Sequence, residues 1–389
     1  MQPQSALYRD EPVFTDFASV TPETPLERLN LNWREGDLPQ RLRTKHVHGL
    51  HPYLGKFIPQ LVEIFLRKYA RRVVVDPFAG SGTTLVEANA LGLAACGADV
   101  SYFNCLLCRV KTGRYDLELL ERELRSILAR AEAHAFVARA SGEPPGPASP
   151  YLQEWYAPAA LAELLAYRAL IPEYHYQDVL RVVLSRAARS ARLTTHFELD
   201  FPEKPQREPY YCRKHRRICQ PTERALPFLR RYTFDVLERL RAFAAIRTEA
   251  RVDILWGDSR QVQFPPCDTV ITSPPYLGLI GYHEQHRYAY ELLELPVMEE
   301  GEIGSPDRGH GPAAAREYYE AVKAVFANVC RSLEVGGHVV VVHDRHELYH
   351  GMAAELGLTT EAVLQRHVNR RTGLRSGEFF ERVYVWRKP

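Results

Sequence analysis

Two short stretches hold side chains whose types and order could do chemistry. Ser273-Pro274-Pro275-Tyr276 directly follows the apolar run Thr269-Val270-Ile271-Thr272. Successive prolines fix the backbone and remove two N–H donors, so this turn offers carbonyl and hydroxyl oxygens as acceptors, with Tyr276 able to stack on a planar ring. A lone Pro-Pro-Tyr turn is more often structural. Its position at a strand end reverses that reading. The other stretch, Asp76-Pro77-Phe78-Ala79-Gly80-Ser81-Gly82-Thr83-Thr84, joins the β-branched run Val73–Val75 to the helix-favouring Leu85–Ala90. Gly80 and Gly82 allow a tight turn and bring main-chain N–H groups at a helix start close to a ligand. A phosphate-binding loop is the obvious rival, but it needs a lysine before the final Ser/Thr, and Gly82 is followed by Thr83-Thr84.

The elements that must position these stretches are readable around them. Pro59 to Tyr69 carries apolar residues at helical spacing, then come a strand at Val73–Val75, the glycine turn, a helix and a second strand from Ala94 to Val100. That order begins a doubly wound α/β sheet, whose ligands bind outside the carboxyl ends of the strands. Residues 116–248 read instead as helices broken by the proline-rich run Glu143–Pro150, and strand character returns at Val252–Trp256 and Thr269–Thr272. Helical periodicity over Tyr282–Leu295 and Ala314–Leu333 precedes strands at His338–Val342 and Arg382–Trp386. Residues 1–45 form an N-terminal arm, polar and weakly periodic. The catalytic domain is expected from 46–115 together with 249–389, and 116–248 is a helical insertion.

Composition narrows the class. Of 389 residues, 46% are hydrophobic and 25% charged, as in water-soluble globular proteins, and no apolar run approaches the roughly 20 residues of a membrane helix. Met1-Gln2-Pro3-Gln4 carries no secretory pattern, so a cytoplasmic protein with reduced thiols is expected from its seven cysteines. A net charge of +2 leaves any nucleic-acid affinity to local asymmetry. Arg213, Lys214, Arg216 and Arg217, flanked by Tyr210, Tyr211 and Tyr232, provide it. Such a mixture suits phosphates, or is a solvated basic face. Cys212, His215 and Cys219 are three of the four ligands a structural zinc wants, and Cys105 and Cys108 could complete them only from a remote apolar helix; no metal is expected. His283, Glu284 and His286 either line a pocket or decorate a helix.

The chain resembles the N4-cytosine/N6-adenine DNA methyltransferases. Asp76–Thr84 is similar to motif I of that family, Ser273–Tyr276 to motif IV, and His51–Pro59 to motif X, the likeness covering about 48–110 and 250–389. It implies a Rossmann-like S-adenosylmethionine-dependent methyltransferase fold with a mostly parallel seven-stranded sheet. It also implies that Lys56, Phe57, Asp76, Pro77, Phe78, Ala79, Gly80, Ser81, Gly82, Thr83, Asp99 and Asp258 hold S-adenosyl-L-methionine, Asp99 at the ribose and Asp258 near the adenine. Ser273, Pro274, Pro275 and Tyr276 are then the catalytic turn. An aromatic amine is a poor nucleophile because its lone pair is delocalised. Hydrogen bonds from it to the Ser273 hydroxyl and the Pro274 carbonyl favour a tetrahedral nitrogen whose lone pair faces a sulfonium methyl in line.

On this resemblance the substrate is double-stranded DNA with a flipped base. Serine at position 273 points to cytosine N4, with adenine N6 and an RNA amine as alternatives and a non-catalytic nucleic-acid binder as the remote one. The insertion becomes a target-recognition region. A restriction-modification setting, with a cognate endonuclease as partner, and a monomer or homodimer are both compatible with the chain. Carbon methylation would need a cysteine nucleophile; Pro266-Cys267 precedes a strand rather than following one and reads as loop.

Overall fold

The computed structural model describes residues 16–33, 36–141, 148–298, 301–309, 311–343, 346–368 and 379–389. The Met1–Gln4 start and the proline-rich run as far as Pro147 lie outside the described residues. Helix α1 (Pro59–Tyr69) leads into β1 (Val73–Asp76), α2 (Thr83–Ala90), β2 (Ala94–Asp99) and α3 (Tyr102–Thr112). A helical segment follows, with α4 (Leu117–Ser141), α5 (Pro158–Leu170), α6 (Gln177–Ala191), a small hairpin of β3 (Tyr210–Cys212) and β4 (Arg217–Cys219), and α7 (Leu226–Ala244). The chain then returns through β5 (Val252–Trp256), β6 (Cys267–Thr272), α8 (Arg287–Leu293), α9 (Pro312–Ser332), β7 (Leu333–His343), β8 (Thr359–Val368) and β9 (Phe379–Arg387).

Seven strands form one sheet in the order β5-β2-β1-β6-β7-β9-β8. All neighbours are parallel except at β9, which runs antiparallel to both β7 and β8. This is the mostly parallel Rossmann-like sheet. The chain moves outward from β1 to β2 and β5, then restarts beside β1 with β6 and proceeds the other way. The β1/β6 junction is therefore the switch point where such sheets open a ligand crevice. The Asp268 carboxylate fixes that junction by accepting backbone N–H bonds from Arg71, Arg72 and Val73 at 2.8–2.9 Å. At the other end Thr272 Oγ1 donates to Asp76 Oδ1 at 2.6 Å, and Thr84 Oγ1 donates to the Ile271 carbonyl at 3.2 Å. Both sequence motifs consequently emerge side by side from the carboxyl edge.

Two apolar layers cover the sheet. One packs Val75, Val270 and Val339 on Phe326 and Val322 of α9, and the other packs Val74, Ile271 and Val340 on Leu61, Ile64 and Phe65 of α1. A third cluster joins Leu106, Leu107 and Val110 of α3 to Leu124, Leu161, Val183 and Leu237 of the helical segment and to Tyr288 of α8. Residues 117–244 thus share a core with the catalytic sheet's own helix. Two readings change. The described residues of the expected N-terminal arm pack onto the sheet's helical layer, with Val20, Leu31, Trp33 and Leu38 buried against α1. Burying side chains of this size contributes about 1.5–3 kcal/mol each. The seventh strand, β8, is an edge strand that the sequence pattern did not single out. No helix among the described residues is long and apolar enough to cross a membrane.

Candidate active site

A cavity opens at the carboxyl ends of β1, β2 and β6, the place where open α/β sheets bind their ligands. Lys56, Phe57, Pro77, Phe78, Ala79, Gly80, Ser81, Thr83, Asp99 and Asp258 line it, and so do Ser273 and Pro275. Of the expected cofactor residues, Asp76 and Gly82 are not among the lining residues, nor are Pro274 and Tyr276 of the expected catalytic turn.

Several wall residues are held by specific bonds. Gly80 has φ +50°, and its N–H donates to Asp99 Oδ2 at 2.8 Å. A Cβ at that position would lie 3.0 Å from the Tyr53 hydroxyl, so glycine is what the turn accommodates. Asp99 Oδ1 accepts from the Ser101 N–H at 2.8 Å and from Asn104 Nδ2 at 3.1 Å. Burial dominates these bonds and pushes the Asp99 carboxyl up to about 6. Asp258 is aimed by Arg260, whose Nε and Nη2 grip both oxygens at 2.6–2.9 Å. Burial opposes that contact but is outweighed, and the Asp258 carboxyl is held below its ordinary value. Lys56 Nζ donates to the His48 carbonyl at 2.7 Å, and burial brings its ammonium down to about 8.

Asp76 is the structural hub beneath the turn. It is fully buried, and its Oδ1 accepts from Thr272 and, at 3.1 Å, from the Phe78 N–H. Its Oδ2 has no hydrogen-bond partner, and burial raises the carboxyl to about 6. Lys111 of α3, also fully buried, donates from Nζ to the Ser81 carbonyl at 2.5 Å; burial brings it down to about 7.

The Ser-Pro-Pro-Tyr turn is braced from the far side of the sheet. Tyr318 donates from its hydroxyl to the Pro275 carbonyl at 2.8 Å, and Tyr276 donates to Glu381 Oε1 at 3.1 Å. Glu381 is in turn paired with Arg366 at 3.0 Å. The half-buried Tyr276 ring meets His343 edge-on, with centroids 4.6 Å apart. Cys267, at the opposite end of β6 from Ser273, is buried, and its thiol is pushed up to about 12. Pro266 lies in the loop before β6, as read, and Cys267 is the first residue of that strand, so its sulfur is remote from the crevice.

Sequence reasoning missed Tyr53, Ser101, Asn104, Tyr282 and Glu302, all on the cavity wall. Tyr53 stacks on Tyr282 with centroids 5.4 Å apart and accepts from Asn104 Nδ2 at 3.2 Å. Glu302 accepts from the Tyr282 N–H at 2.6 Å and pairs with His283 Nδ1 at 2.8 Å. His283 therefore supports the wall through Glu302, Glu284 is exposed, and His286 is buried between His51 and Phe103. Arg213, Lys214, Arg216 and Arg217 are exposed on the β3–β4 hairpin. Cys105 and Cys108 are buried in α3, so they do not join Cys212, His215 and Cys219; the fourth donor beside those three is His196.

A type II methyltransferase of Methanocaldococcus jannaschii, M.MjaII, is 34% identical over 89% of this chain and 81% of its own length. The chain belongs to the type II methyltransferase family. A second type II methyltransferase, M.MvaI of Kocuria varians, is 33% identical over 21% of this chain and 19% of its own length. Among solved structures, TrmN from Thermus thermophilus aligns over 86% of this chain and 50% of its own, at 14% identity and TM-score 0.31. The rRNA methyltransferase aviRa from Streptomyces viridochromogenes aligns over 87% of both chains at 13% identity and TM-score 0.33. No family model matches the chain. The cofactor of this methyltransferase is S-adenosylmethionine, and the crevice suits it. Two carboxylates at neighbouring strand ends can accept from hydroxyl and amino groups, Phe57, Phe78 and Ile303 supply apolar wall, and the Gly80 turn keeps the floor open.

Proposed function

We propose that this methyltransferase acts on double-stranded DNA and methylates the exocyclic N4 of cytosine. One observation carries the reading: Ser273 and Pro275, from the acceptor turn, line the same cavity as Gly80, Asp99 and Asp258. An amino group bound at the turn and a cofactor bound at the glycine floor therefore share one space. Bound S-adenosylmethionine supplies an electrophilic methyl group on sulfur.

The chain's residues supply binding and orientation. Asp99 and Asp258 accept from the cofactor's hydroxyl and amino groups, Phe57 and Phe78 cover its apolar parts, and Gly80 to Thr83 form the floor. The Ser273 hydroxyl and Pro274 carbonyl accept the two amino hydrogens and pull the nitrogen toward tetrahedral geometry, which exposes its lone pair. Tyr276 stacks on the base, its ring held by Glu381 and His343. A base inside a duplex cannot reach this turn, so it is extruded, and stacking offsets part of the unpairing cost of a few kcal/mol. The helical segment 116–248 acts as the target-recognition region, with Arg213, Lys214, Arg216 and Arg217 against phosphates. Cytosine rather than adenine follows from serine at position 273, which in related enzymes leans that way.

Incubating the purified protein with methyl-labelled S-adenosylmethionine and unmodified DNA, then digesting to nucleosides, tests this. The expected product is N4-methyldeoxycytidine. N6-methyldeoxyadenosine would replace the target base, and label entering only RNA would overturn the DNA reading.

A further inference from the structure

The side chains of His196, Cys212, His215 and Cys219 bring one nitrogen or sulfur ligand atom each to within 4.8 Å of one another. The two thiols lie 3.6 Å (Cys212) and 3.5 Å (Cys219) from His215 Nδ1. Zinc–sulfur and zinc–nitrogen bonds of about 2.3 and 2.05 Å, set at a tetrahedral angle, separate sulfur and nitrogen by about 3.6 Å. The two measured sulfur–nitrogen separations match the corresponding edges of that tetrahedron. His196 comes from the loop after α6, and its ring lies 4.6 Å from that of His215. Its Nδ1 is 2.7 Å from the Tyr210 hydroxyl, which leaves Nε2 for a metal and supplies the outer hydrogen bond that metal-bound imidazoles use.

The packing around the cluster points the same way. β3 and β4 have three residues each, paired with Tyr210 opposite Cys219 and Cys212 opposite Arg217, so both cysteines face one side. Tyr211 and Ile218 face the other side and are exposed. Cys212 and Cys219 are buried, yet they belong to none of the three apolar cores formed by the described residues. A two-stranded hairpin this short is not stable without further support. Both cysteines are free thiols rather than a disulfide.

We propose that His196, Cys212, His215 and Cys219 bind one zinc ion as a closed structural site that fixes the β3–β4 hairpin. Four protein ligands leave no open position, so the ion acts as a clamp and takes no part in methyl transfer. The clamp holds the basic turn residues on a rigid mount; their use against DNA rests on the function proposed above, whereas the zinc site itself does not.

Metal content of the full-length protein, purified without chelator, tests the site. About one zinc per chain is expected, unchanged in Cys105→Ala and lost in the double variant Cys212→Ser/Cys219→Ser, with S-adenosylmethionine binding retained. Should that double variant fail to fold, cobalt titration of metal-stripped wild type decides, since a tetrahedral site with two thiolates gives intense visible bands and sulfur-to-metal charge transfer. Zinc retained in a folded double variant, or wild type that holds no zinc and shows no such cobalt spectrum, would overturn the proposal.

Discussion

Asp99 Oδ2 accepts the Gly80 backbone N–H at 2.8 Å, tying the end of the second strand to the glycine turn after the first. The same carboxyl, raised to about 6 by burial, holds Ser101 and Asn104 as well. Asp99→Ala removes both acceptor oxygens, and with them all three hydrogen bonds, and should weaken S-adenosylmethionine binding at least about tenfold, the equivalent of one charge-assisted hydrogen bond. In wild type, protonation as pH falls through about 6 removes the charged acceptor, so calorimetric affinity should be lower at pH 5 than at pH 7.5. An affinity that is flat across that range, or unchanged in Asp99→Ala, would remove Asp99 from the site.

Asp76 makes a separate prediction about stability. Its carboxyl sits at about 6 in the fold against 3.8 for an unperturbed group. Between those values the folded chain binds more protons than the unfolded one, so this group's contribution falls as pH rises through the window and is constant above it. The cost once charged is on the order of 3 kcal/mol. Asp76→Asn keeps an oxygen for Thr272 and Phe78 and places an amide where Oδ2 lacks a partner. The urea midpoint of the variant, compared with wild type, should therefore gain from pH 4 to about pH 6 and level off above it. A difference that does not change with pH would contradict the assignment.

Ser273 and Tyr276 separate chemistry from cofactor binding. Ser273→Ala and Tyr276→Ala should each lower turnover by at least about a hundredfold, the scale of losing one oriented polar contact in a transition state, with S-adenosylmethionine affinity unchanged. Tyr276→Phe keeps the ring and loses the hydroxyl that donates to Glu381. Its turnover should fall no more than about tenfold, the worth of one ordinary hydrogen bond. If the phenylalanine variant is as inactive as the alanine one, the ring is not what Tyr276 contributes.

Replacing Arg213, Lys214, Arg216 and Arg217 together by alanine tests the exposed hairpin. Non-specific DNA affinity should become less salt-dependent, the log–log slope losing about 0.9 for each phosphate contact removed. S-adenosylmethionine binding should be unaffected, because none of the four lines the cavity. An unchanged slope would make this a solvated basic face.

What the sequence revealed follows from where each signal lives. β1, β2 and β6 are interior parallel strands and β5 is a parallel edge strand with the largely apolar run Val252–Trp256, and turn residues follow directly on most of them, so both strands and crevice residues were legible. β8 was not, because it is an edge strand whose residues from Thr359 to Leu364 are largely exposed, and its polar composition lacks the apolar alternation that marks a strand. Val20, Leu31, Trp33 and Leu38 are buried one at a time along an irregular path, which leaves no period to read. Tyr53 lies within the His51–Pro59 motif, which does not by itself say which of its side chains reaches the cavity, whereas Asn104 and Glu302 reach the cavity only through tertiary contacts and carry no local motif. The same holds for His196, which becomes a fourth donor beside Cys212, His215 and Cys219 only when the loop after α6 folds back on the hairpin.

The most direct test of the central claim is to express the protein in a host that lacks modification enzymes and map its genome at single-molecule resolution for N4-methylcytosine and N6-methyladenine. The account predicts N4-methylcytosine at one defined sequence, absent when Ser273→Ala is expressed instead. A genome with neither modification, while the protein is soluble and binds S-adenosylmethionine, would contradict it.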